Sequence, residues 1–178
     1  MSSSHIPAIA SQTWRRTEAD DGFFISTDPA LLSVAAVNEA FGRDFLYWAK
    51  PVPEKAMRQM LYGSRCFGAY YTDPNGVQQQ IGLARMVTDN ATFAYLTDVY
   101  VLPEHQGRGL GRWLIECVAE VFHPTNMPCL RRIMLVTGDQ RMQDFYQRIF
   151  GMKVVGHEVR EDMGKMLTFL CARPNAQS

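Results

Sequence analysis

The sequence predicts a single α/β domain built on a mixed sheet with helices packed against it. Three observations lead there. Between Arg65 and Leu102 three strand-like runs follow one another, separated by Asp73-Pro-Asn-Gly76 and Asp89-Asn90, the chemistry that tight hairpins require. Beyond Gly111 the apolar period lengthens to that of a helix, followed by a strand, a second helix and two more strands. No composition shift, repeat or low-complexity tract divides the 178 residues, a length that suits one core.

The elements follow in order. Residues 1–21, with Ser, Ala and Pro early on, are expected to be loosely ordered, 22–172 to form the domain and 173–178 a frayed tail. Gly22 to Thr27 is rich in aromatic and β-branched residues and predicts a strand. Asp28-Pro29 predicts a helix start, with Leu31, Leu32, Ala35, Ala36 and Phe41 on its inner face. An aromatic loop leads to Pro51 and Pro53, and a second helix runs from Glu54 to about Leu61, ended by Gly63. Arg65–Thr72, Gln80–Val87 and Thr92–Leu102 are the meander strands, the last stopped by Pro103. Leu110, Leu114, Val118 and Val121 recur at helical spacing up to His123-Pro124. Arg131–Val136, a helix over 139–149, Lys153–Val159 and Lys165–Ala172 complete the chain.

Composition narrows the function classes. Eighteen basic residues balance eighteen acidic ones, so the chain lacks the basic excess that grips nucleic acid or an anionic membrane surface. Apolar runs stop far short of the roughly 20 residues that span a bilayer, and Met1 to Thr13 has no signal-peptide pattern; a soluble, cytoplasmic protein is expected. Cys66, Cys117, Cys129 and Cys171 form no Cys-x-x-Cys pair and the four histidines do not cluster, which predicts buried free thiols and no metal.

The informative stretch is Asp98-Val-Tyr-Val-Leu-Pro-Glu-His-Gln-Gly-Arg-Gly-Leu-Gly-Arg112: a strand, a short turn, glycines at 107, 109 and 111, and then a helix. Glycines let backbone approach a ligand closely, and a helix start presents free N–H groups and a partial positive charge. Such a place suits an anion, and a pyrophosphate fits it, with Gln106, Arg108 and Arg112 as further donors. The dinucleotide fingerprint needs a longer final glycine spacing, and the nucleotide P-loop needs Gly-Lys-Ser/Thr; neither is present.

Gln106-Gly-Arg-Gly-Leu-Gly111 resembles the Gln/Arg-x-x-Gly-x-Gly/Ala signature of the GNAT superfamily of acetyl-CoA-dependent N-acetyltransferases, and the order of elements is similar over 22–172. The resemblance implies the GNAT fold, a mostly antiparallel sheet with one splayed parallel strand pair and helices on both faces. It implies that Val99, Tyr100 and Val101 offer backbone groups to the pantetheine arm of acetyl-CoA. Gln106, Gly107, Arg108, Gly109, Leu110, Gly111 and Arg112 would wrap the pyrophosphate. Tyr146 matches the family tyrosine that protonates the departing thiolate, although four residues rather than three separate it from Gly151.

The chemistry so implied is direct attack of a neutral amine on the thioester in a ternary complex, with backbone N–H groups near Val99 polarising the carbonyl. Asp98 is the candidate general base, or else an anchor for a nearby loop. Tyr95 and Thr97 are candidates to line the acceptor pocket, and Phe41-Gly-Arg-Asp-Phe-Leu-Tyr-Trp48 offers rings that either stack on a substrate or pack the loop. A small-molecule primary amine is the expected acceptor, a protein amine the other. A homodimer is compatible with the family, though no heptad specifies one. The rival reading is an acyl-CoA-binding sensor or interaction module of the same fold without turnover.

Overall fold

In a computed structural model, which describes residues 10–16, 21–160 and 165–174, one eight-stranded sheet organises the chain. Its strands are β1 Thr13–Arg15, β2 Phe23–Ser26, β3 Arg65–Thr72, β4 Gln78–Thr88, β5 Phe93–Val101, β6 Arg132–Thr137, β7 Lys153–Arg160 and β8 Lys165–Ala172. Their spatial order is β1-β2-β3-β4-β5-β6-β8-β7. Only β5 and β6 run parallel; every other neighbouring pair is antiparallel. The expectations for 1–9, 17–20 and 175–178 lie outside the described residues.

The helices are α1 Val34–Phe41, α2 Glu54–Tyr62, α3 Leu110–Val121 and α4 Gln140–Phe150. One face of the sheet is covered by α1 and α2, whose Val37, Phe41, Met57 and Leu61 pack on Cys66, Leu83 and Tyr100. The other is covered by α3 and α4, with Leu114, Val118 and Tyr146 packed among Phe67, Leu96, Ile133 and Leu170. Each fully buried Leu or Val there contributes about 1.5–3 kcal/mol of transfer free energy. No helix among the described residues is long and apolar enough to cross a membrane.

Three expectations need correction. The first 21 residues are not uniformly loose: Thr13–Arg15 pairs with Phe24–Ser26 as an edge strand, and Trp14 stacks on Phe67 at 6.0 Å. The helix expected from Asp28 is broken in two. Asp28 caps only the single turn Pro29–Leu31, and Leu32 is extended. The Ser33 hydroxyl then accepts from the Ala36 N–H and starts α1 afresh. The buried stripe is therefore Val34, Val37, Ala40 and Phe41, while Ala35 is exposed. Cys129 likewise departs from the expected burial; it is exposed.

Candidate active site

The parallel pair opens part way along. Register between β5 and β6 runs from Phe93↔Arg132 to Leu96↔Leu135 and stops there. Strand β5 goes on to Val101, whereas the end of β6 is paired on its other side with β8, Thr137 facing Thr168. The cause is local. Asp98 sits at φ 50°, a left-handed conformation that Asp tolerates better than most residues but that still interrupts a strand. Across the same point β4 advances from Leu83 to Arg85 while β5 retreats from Tyr100 to Thr97, so β5 carries one extra residue. The sole sequence signal for this bulge is an aspartate inside a strand of apolar and β-branched residues.

Asp98 is held in that conformation by its surroundings. Arg85 Nε donates to Asp98 Oδ2 at 2.7 Å, and Thr97 Oγ1 to Oδ1 at 3.3 Å. Arg85 Nη1 in turn donates to Ser64 Oγ at 3.0 Å, and the Ser64 hydroxyl donates to the Met60 carbonyl in the last turn of α2. The carboxylate is thus committed to an ion pair on the α1/α2 side of the sheet, opposite Val99, which packs with the α3/α4 core.

Beyond the bulge, strand alternation sorts the backbone. The Leu102 N–H bonds to the Ile81 carbonyl at 2.8 Å, which makes Val101↔Gly82 a non-hydrogen-bonded pair and aims the Tyr100 backbone at β4. The backbone groups of Val99 and Val101 therefore face the gap. Tyr100 does not: its ring is buried against Phe45, and burial raises its phenol pKa. The Gln106 side chain donates from Nε2 to the Val101 carbonyl at 2.8 Å, so it fixes the rim of the gap rather than standing free as an anion donor.

The glycine loop follows a single turn, Pro103–His105. Gly107 and Gly109 have φ of 77° and 73°, which is why they are glycines: an added Cβ at Gly107 would meet nothing within 4 Å, and at Gly109 only Arg16 Nη2 at 3.7 Å. Gly111 is different, lying inside α3 without a positive φ. Leu110 anchors the start of α3 in the core, and the first-turn N–H groups open toward the loop. The two candidate cations are engaged elsewhere. Arg112 Nε binds Glu116 along the exposed side of α3 at 3.1 Å, and the Arg108 guanidinium lies 5.7 Å from the Phe23 ring.

Tyr146 stands on the α3/α4 side, buried in the core that holds Leu96, Val101 and Leu135. Burial raises its pKa, so the phenol stays protonated. The extra residue ahead of Gly151 introduces no bulge: α4 runs unbroken to Phe150 and Gly151 ends it at φ 64°, ψ 29°. The thiols of Cys66 and Cys117 are both pushed up to about 12 by burial, which removes them as nucleophiles at neutral pH.

The aromatic loop divides. Phe41 and Leu46 are core, whereas Tyr47 and Trp48 are 49% and 46% exposed and meet edge to face at 4.9 Å. Arg43 in the same loop forms a two-pronged pair with Glu104, both bonds 2.9 Å, tying it to the turn before the glycine loop. That pair holds the Glu104 carboxyl down at about 2.

Residues 34–152 match the Acetyltransferase (GNAT) family. A Gibberella zeae protein provisionally named an acetyltransferase is 40% identical over 174 residues, covering 86% of this chain and 94% of its own. Among solved structures, a GNAT-family protein of Xanthomonas campestris pv. campestris, also provisionally described as an acetyltransferase, is 37% identical with a TM-score of 0.58, over 70% of this chain and 82% of its own. The Vibrio cholerae spermidine N-acetyltransferase in complex with CoA and spermine shares the fold, with a TM-score of 0.60 at 17% identity over 86% of this chain and 96% of its own. With a signature-bearing loop, an opened parallel pair and these relatives in agreement, the chain belongs to the GNAT family of acetyltransferases.

Proposed function

We propose that the protein transfers the acetyl group of acetyl-CoA to a primary amine of a small molecule by direct attack in a ternary complex. The observation that carries this is the opening of β5 from β6 at Asp98, directly ahead of the glycine loop. That opening leaves the strand-edge groups of Val99 and the Val101 N–H for an amide-bearing arm, and the first-turn N–H groups of α3 would take an attached diphosphate. The thioester supplies the activated acyl carbon. Gap-facing N–H groups stabilise the charge on its oxygen as the amine attacks, the C–N bond forms and the C–S bond breaks.

Tyr146 gives its proton to the departing sulfur, a role that its raised pKa preserves across the neutral range. Asp98 acts as the anchor of the bulge rather than as the base, because Arg85 holds its carboxylate. The amine proton then leaves through solvent at the mouth of the gap. Tyr95 and Thr97, on the face that carries Asp98, border the acceptor side, and the exposed pair Tyr47 and Trp48 offers an apolar platform for a flat or cationic amine.

Calorimetric titration with acetyl-CoA, with ATP and NAD as controls, followed by thiol release over an amine panel, tests the reading. Selective micromolar binding and amine-dependent CoA release support it. Binding without release for any amine would leave the acyl-CoA sensor, and no binding by folded protein would remove both.

A further inference from the structure

The N-terminal strand places an arginine on the glycine loop that the loop's own sequence does not announce. Arg16, one residue after β1, donates from both Nη1 and Nη2 to the carbonyl oxygen of Arg108, at 3.2 and 3.1 Å. Its guanidinium lies 4.8 Å from the centre of the Trp113 ring in the first turn of α3 and 3.8 Å from the Asp21 carboxylate. The strand that delivers it is itself fastened down: Trp14 Nε1 donates to Glu120 on α3 at 3.0 Å, and the Thr13 hydroxyl bonds that of Ser26.

We infer that Arg16 is a positioning residue for the glycine loop, one that sets the direction of the Gly109 N–H by gripping the peptide to which that N–H belongs. Arg108 stands between two left-handed glycines, so its peptide planes have little side-chain restraint of their own. The described chain has no cis peptide bond, so the Arg108 carbonyl and the Gly109 N–H share one plane and point in opposite directions. Holding the oxygen against Arg16 turns the N–H away from the strand. A guanidinium can do this because two of its N–H groups converge on one oxygen while its central carbon sits over the Trp113 ring, which an ammonium cannot reproduce.

The inference rests on the reading of this loop as a pyrophosphate cradle, and the two can fail separately. In the ligand-free protein, Arg16→Ala should move the Gly109 amide resonance and raise its hydrogen exchange, with the fold retained by circular dichroism. Acetyl-CoA should then bind about tenfold more weakly. S-acetylpantetheine, which lacks the pyrophosphate, should support turnover with a KM within about twofold of wild type, a split that general destabilisation would not give. Arg16→Lys, keeping the charge but not the fork, should recover only part of the loss. An unmoved Gly109 amide, equal losses with both donors, or full recovery by lysine would each overturn the positioning role. Wild-type protein that fails to bind acetyl-CoA would instead overturn the cradle, whatever Arg16 does to the amide.

Discussion

Arg85 and Asp98 face each other across β4 and β5 with Nε and Oδ2 2.7 Å apart and only 14% and 10% of their side chains exposed. The pair holds a non-glycine residue at positive φ, and such a conformation persists only where its neighbours over-determine it. Arg85→Met should destabilise the protein by about 3–5 kcal/mol, because it strands a buried carboxylate. Adding Asp98→Asn should return part of that loss, so the two changes are non-additive in urea unfolding. Equal, additive losses would show that the pair does not act as a unit.

Tyr146→Phe tests the acid. The ring keeps its packing against Phe145 and Phe150, so the melting temperature and acetyl-CoA affinity should stay close to wild type. Turnover should fall by about 10²-fold or more, the usual share of a general acid. Unchanged turnover in steady-state assays would reassign the tyrosine to packing.

Gly109→Ala and Gly111→Ala should act in opposite directions on stability. At Gly109 alanine meets a φ of 73°, costing about 1–2 kcal/mol. At Gly111 the new methyl sits 3.9 Å from Val101 Cγ2 in the first turn of α3, where alanine gains up to about 1 kcal/mol over glycine. Paired thermal melts of the ligand-free variants decide this.

Alkaline pH should unfold the protein earlier than its charge balance suggests. Buried Cys66 and Cys117 ionise only near 12, whereas in the unfolded chain they ionise near the ordinary thiol value. Their contribution is intact below about pH 9 and is lost as pH rises from there toward 12, at about 1.4 kcal/mol per thiol per pH unit. Denaturation midpoints at pH 8 and 10.5 measure the fall, and the double variant Cys66→Ala/Cys117→Ala should show a shallower one. In the native state at pH 8, the exposed Cys129 should be the first thiol alkylated.

The meander, the helix from Leu110 and the closing hairpin strands were legible because each is set by local period and turn chemistry. What escaped depends on residues far apart in the chain. Strand β1 has three residues, too few for any period, and exists through its partners on β2 and α3. Asp98 is legible as lying opposite Val99, but its left-handed backbone and its ion pair follow from a register shift that only the folded β4 and β5 define. Gln106 and Arg112 were legible as polar groups near the loop, not as groups already engaged by Val101 and Glu116.

The early end of β5–β6 pairing also divides the sheet mechanically. Between β1–β5 and β6–β8 the backbone stitching is short: the Arg131 N–H bond to the Thr92 carbonyl at 2.8 Å and the four register pairs from Phe93 to Leu96. Such a seam is where the molecule should breathe, with amides of β6 exchanging faster than those of β3 and β4. A ligand arm laid along Val99 and Val101 would lengthen the stitching, so donor binding should be felt as a stiffening of the whole sheet and not only of the loop.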